Sequence, residues 1–260
     1  MTATPPAGPG VGDQQHWFEE LADHLGPAYL RYSFTRGTAN EVAFLIDTLG
    51  LEPGHRVLDV GCGPGRHARA LAAGGIEVLG IDISARFVDL ARQGAPPGAT
   101  FARVDARELT YDAEFDAVVS LCQGGFGLIG GPAAAHASVV GALDPDAVVL
   151  AGMARALRPG GRLAVSAFSA YFQMRYLEDS DDFDVDRGVN HERTSVRDES
   201  GAEKAVDLWT SCFTPRELRL LADRAGLVVR DLWSVTPGAY APHAPTIDQP
   251  EFLLVAERPA

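Results

Sequence analysis

The sequence predicts an α/β fold built on a mostly parallel sheet. Three observations predict it. Strand-length apolar runs recur at about 56–60, 77–81, 99–104, 115–121 and 162–168. Stretches with helical periodicity fall between them, at about 66–73, 84–93 and 146–157. The first run leads directly into three alternating glycines, Gly61, Gly63 and Gly65, in a turn that requires backbone angles closed to most side chains. Strands that alternate with helices pair in parallel through right-handed crossovers. At 260 residues with 46% hydrophobic content, the chain can bury one full core and fits one domain with an elaboration or one domain plus a small cap.

In chain order, residues 1–13 are rich in Pro, Gly and Ala, lack the basic start and apolar core of a secretory signal, and read as a flexible tail. Residues 14–50 read as a helical cap. Trp17, Leu21 and Leu25 recur at helical spacing with Phe18 beside them, and Gly26-Pro27 breaks that stretch. After an aromatic and basic segment from Tyr29, Thr38 or Asn40 is expected to cap a helix that buries Val42, Leu45, Ile46 and Leu49. Residues 51–260 form the main domain. Its first strand, Val57 to Val60, reads as fully buried, the second ends in Asp82, and the third ends in Val104-Asp105.

The segment 170–212 breaks the alternation. It holds Tyr171, Phe172 and Tyr176, an acidic run from Glu178 to Asp186, and two period-two stretches around Glu199-Ser200-Gly201. That pattern is a hairpin inserted after the fifth strand, placed to act as a lid. The acidic run reads as a solvated loop, because it lacks the glycine and terminal glutamate of a calcium loop, and no metal site is expected. Thr214, Pro215 and Glu217 start a helix as N-cap, N1 and N3, Leu218, Leu221, Ala222 and Ala225 face inward, and Gly226 ends it. Strands at about 227–235 and 251–257 complete the sheet.

Strand, glycine turn, helix, strand and acid together hold a nucleoside-containing cofactor at the carboxyl edge of a sheet. A dinucleotide turn spaces its glycines G-x-G-x-x-G, whereas this chain has Gly61-x-Gly63-x-Gly65 followed by Arg66 and His67. Asp59 lies inside an apolar strand. Two readings stand open for it: an acid that accepts loop N–H groups, and an acid beside a cofactor ammonium. Arg66 and His67 read either as solvated residues of a first helical turn or as cofactor contacts. Asp116 reads as structural, at the start of its strand.

The run Val57-Leu58-Asp59-Val60-Gly61-Cys62-Gly63-Pro64-Gly65 resembles the first motif of the class I S-adenosylmethionine (SAM) methyltransferases. The likeness extends in the family's order through Asp82, Asp105, the strand Phe115 to Leu121 with Asp116, and Leu157-Arg158-Pro159-Gly160-Gly161-Arg162-Leu163, over about residues 50–170. The resemblance implies a Rossmann-like, seven-stranded, mostly parallel sheet with an antiparallel C-terminal strand. It implies SAM as cofactor and S-adenosylhomocysteine (SAH) as product. It places both ribose hydroxyls on Asp82 and the adenine amino group near Asp105. The cofactor contacts are then Asp59, Gly61, Gly63, Gly65, Asp82, Ile83, Asp105, Ala106 and Leu121, and the cofactor carboxylate is met either by Arg31 or Arg36 of the N-terminal segment, of which Arg36 is preferred, or by the glycine-loop N–H groups.

The segment after the fourth strand, Leu121 to Leu128, lacks the N/D-P-P-Y/F pattern of the family's nucleobase and glutamine amine methylases. A small-molecule acceptor with an O, N, C or S accepting atom is expected. Its pocket is assigned to Tyr32, Phe126, Tyr171, Trp209 and Tyr240, with Tyr29, Phe34 and Phe172 nearby, since a sulfonium reaction benefits from a dry aromatic site. His191 on the lid and His136 after the fourth strand are the candidate general bases. Two alternatives share the cofactor fold: a SAM enzyme catalysing a non-methylating step such as cyclisation, and a nicotinamide-dependent oxidoreductase. A third is a non-catalytic binding module.

A net charge of −13 argues against nucleic acid and anionic membrane partners. No apolar window reaches spanning length, and the three cysteines, Cys62, Cys122 and Cys212, are isolated, so a cytoplasmic protein, monomer or homodimer, is expected. The single lysine, Lys204, amid abundant Ala, Gly, Pro, Arg and Asp points to a GC-rich bacterial source.

Overall fold

The computed structural model describes residues 16–142 and 144–260. The tail read at 1–13 lies outside them. The parallel strands are β1 (Arg56–Val60), β2 (Glu77–Asp82), β3 (Ala99–Arg103), β4 (Phe115–Ser120) and β5 (Leu157–Ser169). They pair in the order β3-β2-β1-β4-β5. Two late strands, β9 (Val228–Val235) and β10 (Glu251–Glu257), extend the sheet beyond β5, and β10 runs antiparallel to both neighbours. This is the seven-stranded Rossmann-like sheet that the pattern predicts.

Each buried strand sends alternate side chains to opposite layers. On one face Val57, Ala117, Val119, Ala164, Leu253 and Val255 pack against α2 (Thr38–Leu49), α3 (Arg66–Ala73) and α4 (Ala85–Arg92). On the other face Leu58, Val118, Leu163, Val165, Phe252 and Leu254 pack against α5 (Asp146–Ala156) and α7 (Pro215–Arg224). Thr214 caps α7 as expected: its side chain accepts from the Glu217 N–H while the Glu217 carboxylate accepts from the Thr214 N–H.

Three expectations are corrected. The helix α2 begins at Thr38, but its N-cap is Gly37, with neither the Thr38 nor the Asn40 side chain in that role. The insertion, entered through α6 (Ala170–Arg175), is a three-stranded antiparallel sheet and not a two-stranded hairpin. It comprises β6 (Asp181–Asp184), β7 (Val189–Arg197) and β8 (Glu203–Phe213). Part of the acidic run is thus a strand, because Asp181 to Asp184 pair with Glu192 to Val189. The inserted sheet joins the main sheet where Phe168 and Ser169 pair with Cys212 and Phe213.

The first helix, α1 (Trp17–Leu25), closes with His16 as N-cap and Glu19 reaching back to the His16 N–H. It packs with Trp17, Leu21 and Leu25 against Val196, Val206 and Leu208 of the inserted sheet. Two short 3-10 turns then lead into α2.

Candidate cofactor site and polar centre

The carboxyl ends of β1, β2 and β4 meet over the start of α3. Gly61 leaves β1 at φ +72°, and a Cβ there would fall 1.8 Å from the carbonyl carbon of Gly124. Gly65 caps α3 at φ +83°, where a Cβ would meet the Phe101 ring at 2.9 Å. At both positions glycine serves close packing inside the protein. The N–H of Gly63 donates to Asp82 Oδ2 at 2.9 Å and the N–H of Ser84 donates to Oδ1 at 2.8 Å. Asp82 therefore ties the glycine turn to the start of α4. Burial raises its pKa to about 6, against the pull of those two N–H groups.

Asp59 is 1% exposed and its Oδ2 has no partner. Burial raises its pKa to about 7, opposed by the Arg66 charge and by an N–H bond from Ala68. An orphaned carboxylate oxygen at the head of a glycine turn is complementary to an ammonium group. Asp105 caps the short turn after β3 and pairs with Arg107 at 2.6 Å. Burial works to raise its pKa, but the Arg107 bonds hold it below the usual carboxylate range.

Gly61, Asp82, Ile83, Asp105 and Ala106 line a groove whose far wall is His16 and Phe18. Its volume is about 30 Å³. Burial and the Arg107 charge lower the His16 pKa to about 4, so the wall is neutral at pH 7. Phe18 packs edge-on against Phe87 at 6.0 Å.

A polar centre lies on the same sheet face, toward β5. Glu41, fully buried on α2, binds Arg66, His67 at 2.8 Å and the Gly238 N–H at 2.7 Å. Burial would raise the Glu41 pKa, but His67 and Arg66 pull it down to about 2. Arg66 reaches Thr38 Oγ1 and Cys122 Sγ, each at 3.0 Å. Arg66 and His67 are thus internal residues tying α3 to α2, and the reading of solvated helix residues is corrected. Beyond Cys122, Gln123 donates to Glu251 Oε1 at 2.9 Å, and Ser166 Oγ accepts the Cys122 N–H at 2.7 Å. Glu251 Oε2 and the Tyr240 hydroxyl are buried without well-formed hydrogen bonds.

The other residues singled out from sequence scatter. Leu121 is buried at the end of β4, and Arg36 is exposed. Tyr240 packs edge-on against Phe44 within the polar centre. Phe126 is wholly buried and stacks on Phe213 at 4.8 Å, a core position. Tyr171 is 46% exposed on α6. The Tyr32 hydroxyl accepts the Arg197 N–H of the lid at 3.5 Å. His136 lies 3.6 Å from Glu108 and bonds Ser138. His191 stacks on Trp209 at 4.8 Å and bonds Asp207 at 2.6 Å. His191 and Trp209 line a second groove of about 860 Å³, with Asp146 and Leu221, on the α5–α7 face of the sheet. That groove shares no lining residue with the one beside Asp82. His16, Glu41 and Glu251 also belong to the cofactor site and polar centre, although no sequence motif marks them. Among the described residues, no cluster of His, Cys, Asp and Glu is placed to hold a metal ion, and no helix is long and apolar enough to cross a membrane.

The strand order and the acids at successive carboxyl ends define the class I methyltransferase fold. Residues 57–146 match the family model described as a methyltransferase domain. That segment is a methyltransferase domain by similarity and covers about a third of the chain. It is 36% identical over 125 residues to a demethylmenaquinone methyltransferase of Beutenbergia cavernae, covering 48% of this chain and 45% of that protein. It is 32% identical over 180 residues to the 27-O-demethylrifamycin SV methyltransferase of Amycolatopsis mediterranei, covering 64% and 60%. The chain thus spans about half the length of the curated relatives it matches. Its fold matches the structure of the CcbJ methyltransferase from Streptomyces caelestis with a TM-score of 0.70 at 18% identity, over 94% of this chain and 97% of that one.

Proposed function

We propose that this chain transfers a methyl group from SAM to a small-molecule acceptor. The observation that carries the reading is the unpartnered Asp59 oxygen two residues before Gly61, which lines one groove with Asp82 and Asp105. Asp59 Oδ2 suits the cofactor's ammonium group. Asp82 accepts one backbone N–H on each oxygen and keeps lone pairs for ribose hydroxyls. Asp105 is committed to Arg107, so its contact to the adenine amino group uses its remaining acceptor capacity. The cofactor supplies an electrophilic methyl on a good leaving group. The chain's own residues bind, orient and exclude water, and positioning alone is worth on the order of 7–11 kcal/mol in favourable cases.

Small-molecule pockets hold roughly 300–1,000 Å³, so a groove of about 30 Å³ must widen to admit a nucleoside. The small-molecule acceptor is supported by the net charge of −13, which disfavours nucleic acid, and by relatives named for menaquinone and rifamycin precursors. Product mass tests the reaction. Incubating the chain and SAM with bacterial small-molecule extracts is expected to yield SAH in step with products heavier by one CH₂. SAM bound with an isomerised product of unchanged mass would overturn methyl transfer.

A further inference from the structure

Glu251 is the first residue of β10 and, because β10 runs antiparallel to β5, it lies beside Phe168 at the carboxyl edge of the parallel strands. Its side chain shares the sheet face of Leu253 and Val255, the face that carries Asp59, α2 and α3. It is 2% exposed, yet Oε2 makes no well-formed hydrogen bond, and neither does the neighbouring Tyr240 hydroxyl, in a residue 3% exposed, although the Ser166 hydroxyl lies close enough to both to lower their pKa values. The remaining oxygen is held by Gln123. Gln123 and Cys122 both take left-handed backbone angles, φ +53° and +52°, although neither is glycine. Such angles cost on the order of 1–3 kcal/mol each and persist where the surroundings impose them, often at active sites. Here they turn the segment after β4 so that the Gln123 amide meets Glu251.

We propose that Glu251 is the proton acceptor at the methyl-transfer position, serving an acceptor that gives up an O–H or N–H proton. The proposal rests on the SAM methyltransferase reading and supplies the chemical class of acceptor that reading leaves open. The segment after β4 links Glu251 to the cofactor turn: Gln123 bonds Glu251, the next residue Gly124 packs against Gly61, and the Tyr29 ring lies against Gly63. The acceptor's lone pair takes the methyl carbon, the old bond's electron pair stays with sulfur, and the acceptor proton passes to Glu251 Oε2. The carboxyl then releases that proton to solvent after product leaves.

Burial raises the Glu251 pKa to about 7, while Gln123, Ser166 and Arg66 pull it down and the Glu41 charge pushes it up. Tyr240, Cys122 and Tyr29 are the other titratable groups facing it, and burial raises the pKa of all three, so they stay neutral at pH 7. Glu251 thus passes from acid to base across neutrality, which suits a general base.

Two probes test this on the whole chain without knowledge of the acceptor. SAH lacks a group at the methyl position, whereas sinefungin carries an amine there. Both carry the same amino-acid end, so Asp59 titration cancels in their affinity ratio. In calorimetric titrations the ratio favouring sinefungin is expected to rise by about tenfold from about pH 6 to about pH 8, the gain of one charge-assisted hydrogen bond. Glu251→Gln is expected to flatten that rise and weaken sinefungin by about tenfold while SAH stays within about twofold. A pH-independent ratio in the wild-type chain, or a variant that shifts both probes equally, overturns the role of Glu251 and leaves the SAM reading standing. Failure of both probes to bind the wild-type chain overturns the SAM reading itself. Should Glu251→Gln not fold, the wild-type ratio alone decides.

Discussion

Replacing Asp59 with asparagine sets stability against cofactor binding. Burial lifts the Asp59 pKa from its ordinary 3.8 to about 7. That shift of about three units corresponds to about 4 kcal/mol at 1.36 kcal/mol per unit. The folded pKa lies above the unfolded one, so the folded chain holds an extra proton between them, and stability falls as pH rises through that window. An asparagine at this position would carry no charge and would escape this loss. Its amide would meet the partnerless side of the site, a constant cost of about 1–3 kcal/mol for an unsatisfied group. The pH-dependent part survives that constant. Relative to the wild-type chain, Asp59→Asn should gain about 4 kcal/mol between about pH 4 and about pH 8, with the gain levelling off above about pH 7. Urea unfolding at both ends of the range measures it. Calorimetry at the upper end should show SAH binding weakened by at least about tenfold, through loss of a charged partner for the ammonium. A stability difference that does not change with pH would refute a buried, uncompensated carboxylate.

Three further substitutions probe the frame of the site. Gly61→Ala should destabilise by about 3 kcal/mol or more, because a Cβ 1.8 Å from Gly124 adds a clash to a strained φ of +72°, and the melting temperature reads it. Glu41→Ala leaves Arg66 and His67 buried without their carboxylate and should cost about 3–5 kcal/mol near neutrality. Because the Glu41 pKa is depressed to about 2, that contribution is present above about pH 4.5 and should fade as acid approaches about pH 2, which denaturation at stepped pH will show. Asp146→Ala removes the acceptor for the Gly127 N–H at 2.7 Å and for Ser211 Oγ at 2.6 Å. It should loosen the junction of lid and main sheet by about 2–4 kcal/mol, seen as faster amide exchange at Gly127 and along β8.

Much of the fold is legible in the chain because the central strands β1 and β4 are buried on both faces and read as short apolar runs bounded by turn residues. The acids at the strand ends are legible for the same reason, since Asp59 and Asp82 interrupt otherwise apolar patterns. The strand β6 is not, because Asp181 to Asp184 have no apolar alternation and are strand only through pairing with β7. His191 and Trp209 share the lid and its larger groove, and only the path of the chain reveals that this groove faces α7 and not the glycine turn. Phe126 looks like an acceptor contact from its place after β4, yet its ring turns inward onto Phe213. Glu251 was within reach of sequence reasoning. An antiparallel last strand beside β5 must start at the carboxyl edge, and its first residue is an acid heading the run Phe252 to Ala256. The Glu41–Arg66–His67 cluster was not within reach, since it joins residues 25 and 26 positions apart through the packing of α2 on α3.

A single titration bears most directly on the central claim that the Asp59–Gly61–Asp82 edge holds SAM. Calorimetry of the full chain with SAH, run beside NADH under the same conditions, should give saturable one-to-one binding of SAH and none of NADH. Asp82→Ala should weaken SAH strongly, since two ribose hydrogen bonds are lost with it. Saturable binding of NADH without binding of SAH would contradict the account.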